Sequence, residues 1–437
     1  MNSNSTFRIA EPTWANACVG DNGNPSYVEY SKGFSSAANL LLDEVIGGRG
    51  VKHSVDDFVY PICFNMRHSI ELRLKGAIEV LIKISSLKSV NLVFDFSGSH
   101  DIGNIWDFFK NNAQSIDIRF THIINKLDST ICDVAAIDAT GQTFRYPIDT
   151  ESKKHLVDVS LINVIVLRKK FQELEKNLDE LLVFTDFLVE EYSLATFTKK
   201  LSRSQLFDLS YDLPIRSSWK IIDFNKVKSQ LRVKYNLSNN DFSKAVKAIE
   251  SNYEMSKLID ITKPLKSINN SGLMAFLDEW IKLNPIVDEH IDMSFTSYFD
   301  EDRFDKMKQE AALKENAWDV ISNNLTYQEI ADICALFESG TSTLFSERYE
   351  ANYDFQVSYS KRAFEHSKKE YKRKVVRLLD KSNILNHTLK SLYFLGHNKL
   401  AEVIVNKYQL ETNFKWLPDA RSKVLFSKPP VFGYAAY

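Results

Sequence analysis

Residues 67–75 bring together one imidazole, one carboxylate and three cations: Arg67, His68, Glu71, Arg73 and Lys75. His68, Glu71 and Lys75 follow one another at spacings of three and four. A helix would set them on one face, with Arg67 and Arg73 flanking it. An imidazole exchanges a proton near neutral pH, and a carboxylate can fix its tautomer. A guanidinium can grip a phosphate through two parallel hydrogen bonds. Similar residue types recur downstream, in His100-Asp101 before Trp106, and in Phe144-Arg145-Tyr146-Pro147 before Asp149. Metal-independent cleavage of RNA asks for a base at the 2′-hydroxyl and a cation at the developing phosphorane. His68 or His100 can serve as base or acid, Arg67 or Arg145 as phosphate holder, and Glu71 or Asp101 as the group that orients the ring. The same residues would also make a buried polar network pinning three segments together, each member satisfied. Glu71 and Lys75 alone would form an ordinary i,i+4 surface pair.

The stretch Asp57–Ile84 must position the first set. Its apolar residues Ile70, Leu74, Ala77, Ile78 and Leu81 predict a helix with one buried stripe, and Pro61 suits the helix start. Residues 29–46 predict a preceding helix, with Phe34, Ala38, Leu41, Leu42 and Val45 inward and Gly47, Gly48 and Gly50 as the stop. No GK[ST] follows those glycines, so they are not a phosphate loop. Residues 90–97 alternate in strand fashion, with Leu92, Phe94 and Phe96 on one side. Ser99 or Asp101 can cap the helix carrying Trp106 and Phe109. Thr140-Gly141-Gln142 makes a turn, and residues 158–195 read as one long helix with a stripe at Phe171, Leu174, Leu178, Leu181 and Leu182. The fold class expected is mainly α, multi-helix bundles with a few short strands.

Residues 1–26 read as an irregular arm, 196–300 as a middle helical region and 301–437 as a C-terminal helical region with an irregular tail from about Trp416. Asn240-Asp241 suggests a cap in the middle region, and Pro264 and Pro285 mark breaks. Thr326, Glu329 and Gly340 outline a capping box and stop for a helix over 325–340. Residues 361–377 hold eight Lys or Arg against two Glu. As one helix they would line Arg362, His366, Lys369, Arg373 and Arg377 along one face, and Phe364, Tyr371, Val375 and Leu378 along the other. With Lys75, the residues Arg362, Lys369, Arg373 and Arg377 are therefore candidate nucleic-acid contacts; the alternative is a solvated face.

A formal net charge of −2 over 437 residues gives no global attraction to nucleic acid, so binding needs a local patch. Cys18, Cys63, Cys132 and Cys334 are far apart and form no CxxC pair, and neither HExxH nor GxSxG occurs. No metal and no cofactor are expected, and the cysteine usage fits a reducing cytoplasm. The N-terminus lacks a signal-peptide core, and the apolar run Leu161–Leu167 is too short to cross a bilayer, so no membrane association is expected.

Taken in order, Arg67-His68-Ser69-Ile70-Glu71-Leu72 with Leu74-Lys75, His100-Asp101 with Trp106, and Phe144-Arg145-Tyr146-Pro147 with Asp149 resemble a group of bacterial HEPN-like proteins. This superfamily is all-helical, and the resemblance covers roughly residues 28–150, with a weaker echo at 325–403. It implies a HEPN-like helical module over 27–195, a place in antiviral defence or a toxin–antitoxin system, and RNA as partner. It also implies a homodimer, a partner protein within a defence complex and, for active members, metal-independent endoribonuclease activity. Catalytic members carry an Arg, a polar residue and, a few residues on, a His. Here Arg49 and His53, like Arg362 and His366, are separated by only three residues, a departure from that spacing. The alternative is a non-catalytic module binding nucleic acid, a nucleotide or a partner protein.

Overall fold

The structure, a computed structural model, describes residues 4–149, 151–286 and 302–434. Residues 1–3 of the expected N-terminal arm, 287–300 at the end of the expected middle region, 301 at the start of the expected C-terminal region and 435–437 at the end of its expected tail lie outside the described residues. Among the described residues the fold is mainly α, with no strand and one isolated bridge, Ile148 to Lys154. No described helix is long and apolar enough to cross a membrane. The chain divides into two compact units, Met1–Ala195 and Thr196–Tyr437.

The first unit contains α1 (Tyr27–Gly47), α2 (Val55–Leu87), α3 (Ile102–Ile116), α4 (Phe120–Asp138) and α5 (Val164–Ser193). Ser26 and Glu29 close a capping box on α1, and Asp101 caps α3 by accepting from the Asn104 N–H at 2.9 Å. Helix α2 packs against α1, α3 and α5. Its stripe of Ile70, Leu74, Ala77, Ile78 and Leu81 is fully buried. The helix starts at Val55, upstream of the expected point, so Pro61 lies inside it. Asp56 and Asp57 in the first turn favour that earlier start, because acidic groups suit the positive end of the helix dipole.

Two expectations change here. Residues 90–97 form no strand, since no second strand pairs with them. The alternation is nevertheless real: Leu92, Phe94 and Phe96 are half-buried and Asn91, Val93 and Asp95 exposed. Phe94 packs on Phe108 at 4.8 Å and Phe96 stacks on Tyr27 at 5.8 Å, while Asp95 ends the segment by accepting from the Gly98 N–H at 3.0 Å. The long helix begins at Val164 rather than 158, because the Asn163 side chain caps it, accepting from Ile165 N at 2.9 Å and Val166 N at 3.1 Å.

The second unit begins with α6 (Arg203–Asp212), α7 (Phe224–Lys234), α8 (Asn239–Ser251) and the short α9 (Tyr253–Ser256). These share a core that includes Leu206, Leu209, Phe242, Ile249 and Met255. A larger core joins α10 (Asn270–Leu283), α11 (Asp302–Asn324), α12 (Tyr327–Ser339), α13 (Glu347–His366), α14 (Lys368–Leu379), α15 (Ile384–Phe394), α16 (Asn398–Lys407) and α17 (Leu417–Arg421). Ser238, not Asn240-Asp241, caps α8, with Asp241 completing the box. The capping box of Thr326 and Glu329 on α12 forms as expected. Gly340 ends that helix where a side chain would overlap the His387 carbonyl. The basic run 361–377 is two helices, broken at Ser367, where the backbone is extended (φ −161°, ψ 107°) and the side-chain Oγ caps α14 by accepting from Glu370 N at 3.3 Å.

The expected irregular tail is anchored at several of its described residues. Leu417 and Phe426 are buried, and the tail carries Lys428 into a largely buried ion cluster. Lys428 Nζ meets Glu254 Oε1 at 2.6 Å, Arg203 donates to the other Glu254 oxygen, and Arg203 Nε reaches Glu347 Oε1 at 2.9 Å. Burial opposes ionisation of Glu254, but Arg203 and Lys428 hold its carboxyl far below the usual carboxylate range. Removing the shared anion leaves two buried cations facing each other. Glu254→Ala should therefore cost about 3–5 kcal/mol. Lys428→Met, which spares the Arg203–Glu254 pair, should cost clearly less. Urea unfolding of the full chain checks the ranking, and equal losses would contradict it.

Candidate functional site

Arg67, Glu71 and Lys75 sit one above another on α2, and all three are buried. Glu71 accepts from the Arg67 guanidinium, from Lys75 Nζ at 2.9 Å and from His100 Nδ1 at 3.1 Å. The charged face of α2 is thus enclosed, not a solvated surface pair. Burial raises the cost of ionising Glu71, but Lys75, Arg67 and His100 outweigh it, and the carboxyl lies below its ordinary range.

The cations also reach beyond Glu71. Arg67 Nε donates to Asp138 O at 3.2 Å, and a terminal nitrogen donates to Ala139 O at 2.6 Å and to His100 O. Lys75 Nζ donates to Phe96 O at 3.0 Å. Backbone from 96–100 and from the end of α4 is in this way tied to α2. Gly141, at φ +78°, lies against Arg67, where an added Cβ would come within 3.1 Å of the guanidinium.

Both candidate histidines face Glu71. The His68 ring stacks on Phe64 with centroids 5.8 Å apart and meets Phe34 edge-on at 4.3 Å, and its Nδ1 stands 4.0 Å from Glu71 Oε2. Burial pushes the His68 pKa down; Glu71 pulls it up, while Arg67, Lys75 and Arg145 lower it further. The net fall leaves the ring neutral near pH 7. The His68 and His100 side chains are 30% and 63% exposed, so both rings reach solvent from a buried carboxylate.

Arg145 is exposed and lies over Phe64 at 5.6 Å and over Tyr146 at 5.1 Å, donating to the Tyr146 hydroxyl at 3.1 Å. Phe64 therefore touches both His68 and Arg145. Four candidates, Arg67, His68, Lys75 and His100, gather at the Glu71 carboxylate, and Arg145 joins them through an aromatic ring. Asp101 is separate in role, its side chain being the α3 cap. Arg67 and Lys75 point inward with their donors engaged, which leaves Arg145 as the solvent-facing cation of this group. Phe64 and Gly141 went unnoticed as site residues in the sequence; the signal for Phe64 is its place four residues before His68.

The remaining candidates lie in the second unit. Arg362 and His366 from the last turns of α13, with Arg373 and Arg377 from α14, are exposed and line a single concavity of about 750 Å³. Lys369 is exposed but outside that lining.

Two outcomes follow for the Glu71 cluster. Glu71→Ala strands Arg67 and Lys75 and should cost about 3–5 kcal/mol in urea unfolding. Both depressed pKa values also act in one direction on acidification. The folded state disfavours protonated His68, so that stabilisation is complete above about pH 6.5 and declines below it; the Glu71 contribution goes lower, below about pH 4.3. His68→Phe should flatten the decline of melting temperature that begins near pH 6.5, and an unaltered profile would contradict the His68 assignment. No protein-family model matches the chain, nor does any curated protein or solved structure.

Proposed function

We propose that the chain is an RNA-directed, HEPN-like protein of a bacterial defence or toxin system, and that the Glu71 site cuts RNA without a metal ion. One observation carries the reading: a buried carboxylate shared by two solvent-reaching imidazoles, His100 at 3.1 Å and His68 at 4.0 Å. Neutral His68 takes the proton of a 2′-hydroxyl, whose oxygen then attacks the adjacent phosphorus. With His100 Nδ1 held by Glu71, Nε2 is the atom left to give a proton to the departing 5′-oxygen. The bond to that oxygen breaks, leaving a 2′,3′-cyclic phosphate and a 5′-hydroxyl. Arg145 meets the charge that builds on the phosphoryl oxygens. A homodimer and a protein partner in a defence complex accompany this reading through the resemblance, and a cytoplasmic location through the cysteine usage.

The inward engagement of Arg67, Glu71 and Lys75 favours a second reading, in which the cluster only locks the fold of a binding module. Cleavage of end-labelled RNA by the full chain in EDTA separates the two. Under the first reading His68→Ala and His100→Ala each slow cleavage by about 100-fold or more, with circular dichroism unchanged, and the products carry cyclic phosphate. Wild-type rates in both variants would remove the catalytic assignment. A wild-type chain that retains RNA and leaves it intact would favour the second reading.

A further inference from the structure

The concavity of the second unit combines two kinds of lining. Arg362, Arg373 and Arg377 supply exposed cations and His366 an exposed imidazole, while Phe355 and Tyr359 are 67% and 51% exposed. Beneath them Lys374 is half-buried, with its Nζ 2.9 Å from Gln356 Oε1, 2.6 Å from Ser360 Oγ and 4.6 Å from the Tyr359 ring centre. Lys381 closes one side over the Phe337 ring at 4.1 Å. Two carboxylates share the lining. Glu338 accepts from Gln356 Nε2 at 2.6 Å, and Glu370 stands 4.0 Å from Arg373. Among the described residues no ion pair engages Arg362, His366 or Arg377.

Positive charge therefore exceeds negative charge around a recess whose volume is that of a ligand site. A phosphate suits the guanidinium groups, and a flat ring suits Tyr359 and Phe355. Arg362 with His366, and Arg373 with Arg377, are each four residues apart, or about 6 Å along their helices. Such rows favour successive phosphates over the compact charge of one nucleotide. A duplex keeps its base faces stacked inside and cannot offer them to the rings.

We propose that the concavity between α12, α13 and α14 binds single-stranded nucleic acid, stacking a base on Tyr359 or Phe355 and holding flanking phosphates with Arg362, Arg373 and Arg377. The proposal is independent of cleavage at Glu71. It concerns other residues and requires no 2′-hydroxyl.

Fluorescence anisotropy of a labelled short oligothymidylate, titrated with the full chain, tests it. This DNA probe cannot be cut by 2′-hydroxyl attack, so binding is read apart from the Glu71 chemistry. With three phosphate contacts, affinity should fall about 20-fold between about 50 and 200 mM salt. Arg362→Ala, Arg373→Ala and Arg377→Ala combined should abolish most binding and flatten the salt dependence. Tyr359→Ala should weaken binding about tenfold at every salt concentration. All four positions are exposed, and circular dichroism will confirm that the variants fold. Absence of binding, or wild-type binding by the triple variant, would overturn the proposal. Equal affinity for a duplex of the same length, or full competition by thymidine monophosphate at matched nucleotide concentration, would overturn it as well.

Discussion

Glu71 accepts from Arg67, Lys75 and His100 inside the first unit, and much of the irregular backbone there hangs on those donors. Arg67 meets the carbonyls of Asp138 and Ala139, at the C-terminal end of α4. These are among the oxygens that a helix leaves without an internal partner, at the negative end of its dipole. Lys75 does the same for the Phe96 carbonyl in a segment that has no sheet to join. The carboxylate gives both cations a counter-charge within a low-dielectric interior, and the cations satisfy backbone that would otherwise be buried bare. Chemistry at His100 would inherit that rigidity through its hydrogen bond to Glu71, while the His68 ring is set by Phe64 and Phe34.

The same physical solution recurs. Arg119 reaches Asp117 Oδ2 at 2.7 Å and Glu191 Oε1 at 2.5 Å, and so joins the turn between α3 and α4 to the end of α5. In the second unit Arg203 and Lys428 share Glu254, while Asp332 accepts from the Tyr349 hydroxyl at 2.6 Å and from the Ile268 N–H at 2.8 Å. Enclosed charges here hold loops and helix ends where apolar side chains alone would leave polar backbone unmatched. The exposed cations of α13 and α14 stand apart from this pattern, since their groups are turned outward around a recess.

Helices were legible wherever an apolar stripe coincided with a local cap. Thr326 with Glu329 acts within one turn, so its meaning is contained in neighbouring residues. Segment 90–97 misled because alternation reports burial on one side, whereas a strand also needs a distant partner. The break at Ser367 was hidden by charge on both flanks, and the anchored tail by a lack of periodicity in residues that are buried through an ion cluster. At the Glu71 site, the pairing of Glu71 and Lys75 followed from helical spacing, whereas Arg67, expected beside that face, pairs with Glu71 as well. The inward direction of that face did not, because what covers it comes from residues 96–100 and 138–141.

The link from Glu254 to Lys428 bears on how the second unit is made. Its two ends are 174 residues apart in the chain. At ribosomal speeds of about 5–20 residues per second, Glu254 waits roughly 10–35 s for that lysine to be synthesised. Contacts in the first unit, by contrast, are complete by Ala195. The nascent chain thus carries a finished first unit while the second still lacks one of its interior counter-ions, an interval in which a chaperone would find the second unit and not the first.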